Sequence, residues 1–272
     1  MGLNLRESLN GIVTLLTDFG LADSYVAEMK GTILSLQPEA KIVDIAHEIR
    51  RHDIREGSFV LATATPTFPE GTIHIAVIDP GVGGRRRPII IKTLRNVYIG
   101  PDNGVMILAA DREKILHAYH ITNPKFMHER ISATFHGRDI FSFTAGKLLQ
   151  GMDPSDAGPE IRDYEVPKFA RAAVDGDRIE AEVIHVDIFG NVALNVSAEE
   201  ACKAGFTHES VLLEVNGQRE RIPFLKTYSD VPVGYPVLLI ESHGFLEIAV
   251  NQGSAAERFS LRPGVVIKIL AD

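Results

Sequence analysis

Through residues 11–149, short apolar runs alternate with amphipathic stripes, and this alternation narrows the possible folds more than any other feature of the chain. The run GIVTLL at 11–16 suits a buried strand, and the TDFG that follows Leu16 ends it. Val26, Met29, Ile33 and Leu36 then recur at spacings of three and four, the stripe of an amphipathic helix that Pro38 stops. The pattern repeats with a strand over 41–45 and a helix over 54–64 closed by Pro66 and Pro69. Strands over 72–78, 88–92 and 96–99 and helices over 103–110 and 140–149 complete it. Strands separated by helices predict an α/β unit, a mostly parallel sheet with helices on both faces.

The rhythm changes at 151–176, where GMDPSDAGPE is rich in turn formers. From there the runs are short and bounded by Gly, Pro or Asn: 179–186, 191–196, 211–215, 236–240, 245–250 and 265–270. That spacing predicts a small antiparallel β-barrel or β-sandwich. We therefore expect an α/β domain over 1–168 and a β-barrel domain over 169–272, with the boundary near 165–175.

Apolar residues make up 45% and charged residues 24% of the chain, which fits a packed globular protein and not a disordered one. The formal charge of −8 argues against a nucleic-acid partner, which needs a basic face, but leaves room for a cationic small molecule. Cys202 is the only cysteine, so neither an internal disulfide nor a thiolate metal cluster can form; EEACKAGF reads as a helix with this thiol buried or half-buried. The opening MGLNLRESLN lacks the apolar core of a signal peptide, and no run reaches the roughly 18 apolar residues of a spanning helix. A cytoplasmic protein without membrane contact is expected.

Three apolar strands run into an aspartate with glycine close behind: LLTDFG (Asp18), AVIDPGVGG (Asp79) and IHVDIFGN (Asp187). Ligands of open α/β sheets bind beyond the carboxyl ends of strands, where glycines let the backbone approach. One such aspartate is usually a turn; three favour a site. DPGVGG is followed by Arg85, Arg86 and Arg87, yet it is neither a Walker loop nor a GxGxxG fingerprint. An Asp–Arg ion pair that fixes a carboxylate near a reacting water is the alternative to a phosphate cradle or a solvated basic turn. In TFHGRD, Gly137 leaves His136 accessible and Arg138-Asp139 can support it. In PDNG, Asp102 or Asn103 is expected mainly to cap the next helix, with ligand contact secondary. The ten histidines show neither HExxH nor His-x-His spacing, so no metal is expected.

Taken in order, TDFG, DPGVGG with its arginines, PDNG, TFHGRD, FGN and ESHGFLEIAVNQGSAA resemble the S-adenosyl-L-methionine (SAM) hydroxide adenosyltransferase family, which is related to the SAM-dependent fluorinase and chlorinase. The motifs are weak singly but specific in order and spacing, and they span about residues 12–270. The resemblance implies hydrolysis of SAM to adenosine and L-methionine, with SAM as substrate and no cofactor. It also implies a homotrimer whose sites lie between the N-terminal domain of one subunit and the C-terminal domain of the next. A catalytic Asp–Arg–His set falls on Asp79, Arg86 and His136, Arg86 being chosen because the family's arginine follows the aspartate by seven residues. Asp18 matches the carboxylate that holds the ribose hydroxyls, Asp187 the one that meets the methionine amino group, and Asn191 an adenine contact. Phe135 and Glu241, Ser242 and His243 line the same site by analogy, with His243 standing where the fluorinase has arginine.

The implied reaction is an in-line displacement at the ribose 5′-carbon, with neutral sulfur leaving. The nucleophile is the difficulty, because free water has a pKa of about 15.7. Asp79 is expected as anchor and His136 as the preferred base. A SAM-dependent halogenase, a non-catalytic SAM- or adenosine-binding protein and a metal-dependent phosphohydrolase are the rivals.

Overall fold

In the computed structural model, residues 9–206 and 210–271 are described, and the chain divides into two compact units, Met1–Val166 and Pro167–Asp272. Most of the MGLNLRESLN opening lies outside the described residues.

Unit 1 contains strands β1 (Ile12–Thr17), β2 (Lys41–Ala46), β3 (Ile73–Val77), β4 (Pro88–Thr93), β5 (Val97–Pro101) and β6 (Ile115–His120). Its helices are α1 (Tyr25–Leu36), α2 (Ile54–Ala64), α3 (Ile107–Arg112) and α4 (Phe143–Leu149). The strands form one sheet in the order β2-β1-β3-β5-β4-β6. Three of its five pairings are parallel, and the β4 hairpin with β5 and β4's pairing with β6 are antiparallel. The inner parallel strands β1, β3 and β5 are buried on both faces because both are covered, while the edge strand β2 exposes Lys41, Val43 and Asp44. Val13, Leu15, Ile73, Ile75 and Ile99 pack with Met29 and Ile33 of α1 and with Phe141 and Ala145. The opposite face, with Leu16, Ala76 and Tyr98, is equally buried. There α2 packs on β1 and β2 and against α3. Burying each such side chain contributes about 1.5–3 kcal/mol.

Two helices differ from expectation. The first PDNG helix starts later than its sequence pattern suggests, at Ile107. The other is preceded by a π-helical turn over Gly137–Ser142 that leads directly into α4. Such widened turns recur at functional sites.

Unit 2 comprises β7 (Ala173–Asp175), β8 (Arg178–Val186), β9 (Val192–Ser197), α5 (Ala198–Lys203), β10 (Ser210–Val215), β11 (Gln218–Pro223), β12 (Pro236–Ile240), β13 (Phe245–Val250), α6 (Ala255–Arg258) and β14 (Val266–Ala271). Its antiparallel sheet runs β11-β10-β14-β8-β9-β13-β12, with β7 beside β8. A bridge between Phe224 and Leu238 brings the two edge strands together, so the sheet is nearly closed into a barrel. Alternation places Leu246, Ile248 and Val250 of β13 in the barrel core with Val192, Leu194, Ile267 and Ile269. Cys202 lies in helix α5 as expected but is exposed; Ala201 is the residue that turns inward, because the burial stripe is one position away from the thiol. Among the described residues no helix is long and apolar enough to cross a membrane.

Candidate active site

Three adjacent parallel strands of unit 1 end level with one another. Thr17 of β1 pairs with Val77 of β3, and the register Ile75 to Ile99 carries Val77 to Pro101 at the end of β5. Asp18 follows β1 by one residue, Asp79 follows β3 by two, and Asp102-Asn103 follow β5 directly. The sheet thus presents these side chains along one carboxyl edge, the position where open α/β sheets bind ligands.

Beyond β3 the chain turns back on itself. Arg86 Nε donates to Oδ1 and Oδ2 of Asp79, 3.0 Å from each, and Nη2 donates to Oδ2. The two side chains retain only 10% and 4% of their exposure, so this is a largely desolvated ion pair. Nη2 also lies 2.8 Å from Nδ1 of His136. A guanidinium has no acceptor, so Nδ1 accepts and the ring proton sits on Nε2. Burial, and then the charge of Arg86, push the His136 pKa down, in keeping with a neutral ring. The histidine is therefore presented as a donor through Nε2, which departs from the expectation that it serves as base.

Gly83 locks the two loops together. Its φ is +71°, and a Cβ there would lie 2.2 Å from the carbonyl oxygen of Ala133. Only glycine lets the DPGVGG loop lie this close to the segment that carries His136. On the far side of that segment, Arg138 Nε donates to Asp139 Oδ1 at 2.6 Å and Nη1 to Glu28 Oε2 at 2.8 Å. Asp139 also accepts from Ser132 N at 2.7 Å; although burial opposes it, these bonds hold its carboxyl below the usual range.

Phe135 joins Phe19 and Tyr25 in an edge-to-face trio with centroids 5.3–6.1 Å apart, beside an open cleft of about 320 Å³. Tyr25 and Glu28 were not singled out from the sequence; their position on the first turn of α1, just after TDFG, is the signal that could have found them. Asp18 accepts from the backbone N of His52 at 2.8 Å through Oδ2.

Asp102 and Asn103 do not cap α3, whose N-cap is Met106 with no side-chain bond. Asp102 Oδ2 takes Arg87 Nε at 2.8 Å and Oδ1 takes Glu165 N at 2.8 Å. Asn103 ties the end of β3 to its own turn, donating to Ile78 O at 2.8 Å and accepting from Val105 N. An arginine fifteen residues away claims the carboxylate that local spacing had assigned to the helix.

In unit 2, Asp187 organises the turn between β8 and β9. Its Oδ1 accepts from Phe189 N and Asn191 N, both at 2.9 Å, and Oδ2 accepts from Asn191 Nδ2 at 3.0 Å. Glu241 does the same for the β12–β13 turn: Oε1 takes Phe245 N at 3.1 Å, while Oε2 takes His243 N at 2.8 Å, His243 Nδ1 at 2.7 Å and Ser242 Oγ at 3.3 Å. Among the described residues no group of three or more His, Cys, Asp or Glu side chains is arranged to hold a metal ion.

The geometry supplies an anionic acceptor, a fixed guanidinium and a neutral imidazole donor at one strand end, a set suited to holding and activating a water. Comparison with known proteins gives the family of the chain. Residues 13–158 match the model of the SAM hydroxide adenosyltransferase N-terminal domain, and residues 181–268 that of its C-terminal domain. The chain is 36% identical to the (R)-S-adenosyl-L-methionine hydrolase of Thermus thermophilus, covering 95% of this chain and 99% of that one. It is 26% identical to a fluorinase of an Actinoplanes species, over 96% and 97% of the two chains. A conserved protein of Thermotoga maritima superposes with a TM-score of 0.82 at 34% identity, covering 95% of this chain and 99% of that one. With both family domains matched in order along its length, this chain belongs to the SAM hydroxide adenosyltransferase family.

Proposed function

We propose that this chain hydrolyses SAM to adenosine and L-methionine, with water attacking the ribose 5′-carbon. The observation that carries the reading is the contact among Asp79, Arg86 and His136, within a chain 35% identical over 262 residues to the (R)-S-adenosyl-L-methionine hydrolase of Salinispora arenicola. In this mechanism the water donates one hydrogen to Asp79 and accepts one from His136 Nε2, which leaves its second lone pair aimed at carbon. As the C–O bond forms, the C–S electron pair goes to sulfur and gives neutral methionine. The water proton passes to Asp79 and on to solvent. Arg86 holds both partners in place and takes no proton. Alignment of this kind can supply roughly 7–11 kcal/mol of the barrier, and proton removal about 10²–10⁴-fold in rate.

We further propose that Asp18 holds the ribose hydroxyls, Phe135 lines the cleft, and Asp102 and Asn103 shape the pocket floor from beneath. Asp187, Asn191, Glu241 and Ser242 contribute the surface toward methionine and adenine. The assembly proposed is a cytoplasmic homotrimer in which the barrel unit of one subunit completes the site of its neighbour, and no cofactor takes part. These assignments rest on the resemblance of the motifs.

The test is incubation of purified protein with SAM, followed by chromatography. Equal yields of adenosine and methionine are expected, with no halogenated nucleoside when chloride or fluoride is present. Survival of SAM with concentrated enzyme, or a 5′-halogenated product, overturns the reading.

A further inference from the structure

Glu247 is a nearly buried carboxylate on the outward face of the unit 2 sheet, held by a strand and not by a turn. It lies on β13 opposite Leu239 of β12 and Ala193 of β9, and points away from the barrel core that Leu246 and Ile248 enter. The residue is only 7% exposed. Its Oε1 accepts from Tyr228 Oη at 2.8 Å, and its Oε2 has no hydrogen-bond partner among the described residues. Tyr228, on the short helical turn Tyr228–Asp230, remains 40% exposed. The other charged groups near the pair are Asp187 on the β8–β9 loop and Glu241 on the β12–β13 turn, with His185 on β8 in register with the same Ala193. Both neighbouring carboxylates have all their oxygens engaged locally, which leaves Glu247 and Tyr228 as the adaptable part of the surface.

We infer that Glu247 is a positioning residue for SAM: by holding or releasing one proton, it decides whether Tyr228 offers the substrate an acceptor or a donor. When Glu247 is ionised it can only accept, so the Tyr228 hydroxyl must point at it and the phenolic lone pairs face outward. That arrangement suits an ammonium. When Glu247 is protonated it can donate to Tyr228, whose own O–H then turns outward and opposes the ammonium. SAM carries a sulfonium, an ammonium and a carboxylate, for a net charge of one plus; adenosine and methionine are neutral overall. Binding therefore favours ionised Glu247, and departure of the products lets the proton return. This rests on the proposed function, specifically on Asp187 and its surroundings meeting the amino-acid end of SAM.

Burial, reinforced by the charges of Asp187 and Glu241, pushes Glu247 up to about 7 against the opposing Tyr228 bond, so the proton is exchangeable near neutrality. The same burial raises Tyr228, which keeps its proton throughout this range. The sign follows: the binding form is present above the Glu247 pKa and is lost as pH falls through it. KM for SAM should rise about fivefold from pH 7 to pH 6, below the range in which an α-amino group titrates.

The experiment measures KM and kcat separately between pH 5.8 and 7.2 for wild type, Glu247→Gln and Tyr228→Phe. The inference expects a KM slope in wild type that is flat in both variants, with Tyr228→Phe also raising KM at pH 7 by about tenfold. Tyr228→Phe keeps the question answerable should Glu247→Gln fail to fold. A wild-type KM independent of pH, or a slope that survives in either variant, overturns it. If SAM is not cleaved at all, the proposed function fails first, and the two failures are told apart by product formation alone.

Discussion

The two units place polar groups at their functional edges by opposite means. In unit 1 the contacts are long in sequence: the Asp79–Arg86 pair on one loop is tied to His136 fifty residues beyond Arg86, and Arg138 reaches Glu28 across 110 residues. In unit 2 they are short, since Asp187 and Glu241 are satisfied by residues one to four positions away. The sheet edge of unit 1 can therefore be preorganised for chemistry, because several loops must agree before any side chain is fixed. The barrel's turns build themselves and present a surface. The Tyr228–Glu247 pair, nineteen residues apart, is one place where unit 2 departs from this habit.

Breaking the long-range set should have the largest effect. Asp79→Asn removes the charge that Arg86 neutralises and the acceptor for the water proton, and kcat should fall about 10²–10⁴-fold. The measurement is adenosine release at saturating SAM; a loss below tenfold would mean the long-range contacts matter no more than the local ones. Next in size is a pair of glycine substitutions. Gly83→Ala drives a Cβ into the Ala133 carbonyl and should destabilise the protein by about 2–4 kcal/mol. Gly217→Ala, at a similar φ of +78° but with open space around it, should cost only about 1 kcal/mol. Denaturant unfolding of the two variants sharpens the comparison, and equal losses would remove it. The smallest effect is expected at Asp187→Asn, which keeps one oxygen for the backbone donors of its turn. KM should rise about tenfold with kcat changed by less than about threefold; a kcat loss as large as that of Asp79→Asn would erase the division of labour.

Much of this arrangement was legible from residue order. Asp18, Asp79 and Asp187 were visible because each ends an apolar run, and a strand's end is marked by the same residues that place a ligand contact. An antiparallel barrel or sandwich was visible from short runs between turn formers, and closure into a barrel only once Phe224 meets Leu238. What escaped has a common physical cause. β6, with Leu116 and His117 exposed, and β11, QRERIP, are edge strands whose side chains face water, so they lack the apolar signature. Asp102 looked like a cap because its true partner, Arg87, comes close only after β4 and β5 pair. Glu247 is concealed inside FLEIAV, which reads as an ordinary buried strand until the sheet shows which face each residue takes. The orientation of the His136 ring was likewise beyond spacing alone, since it depends on which nitrogen meets Arg86.

The level ending of β1, β3 and β5 means that aim is set upstream of the loops. Successive residues of a strand point to opposite faces, so inserting one residue anywhere within Ile73–Val77 would send Asp79 to the wrong side and carry Arg86 away with it. The loop could keep every one of its side chains and still face away from the substrate. Substitution can retune this chemistry; a change of length in the buried strand beneath it would extinguish it.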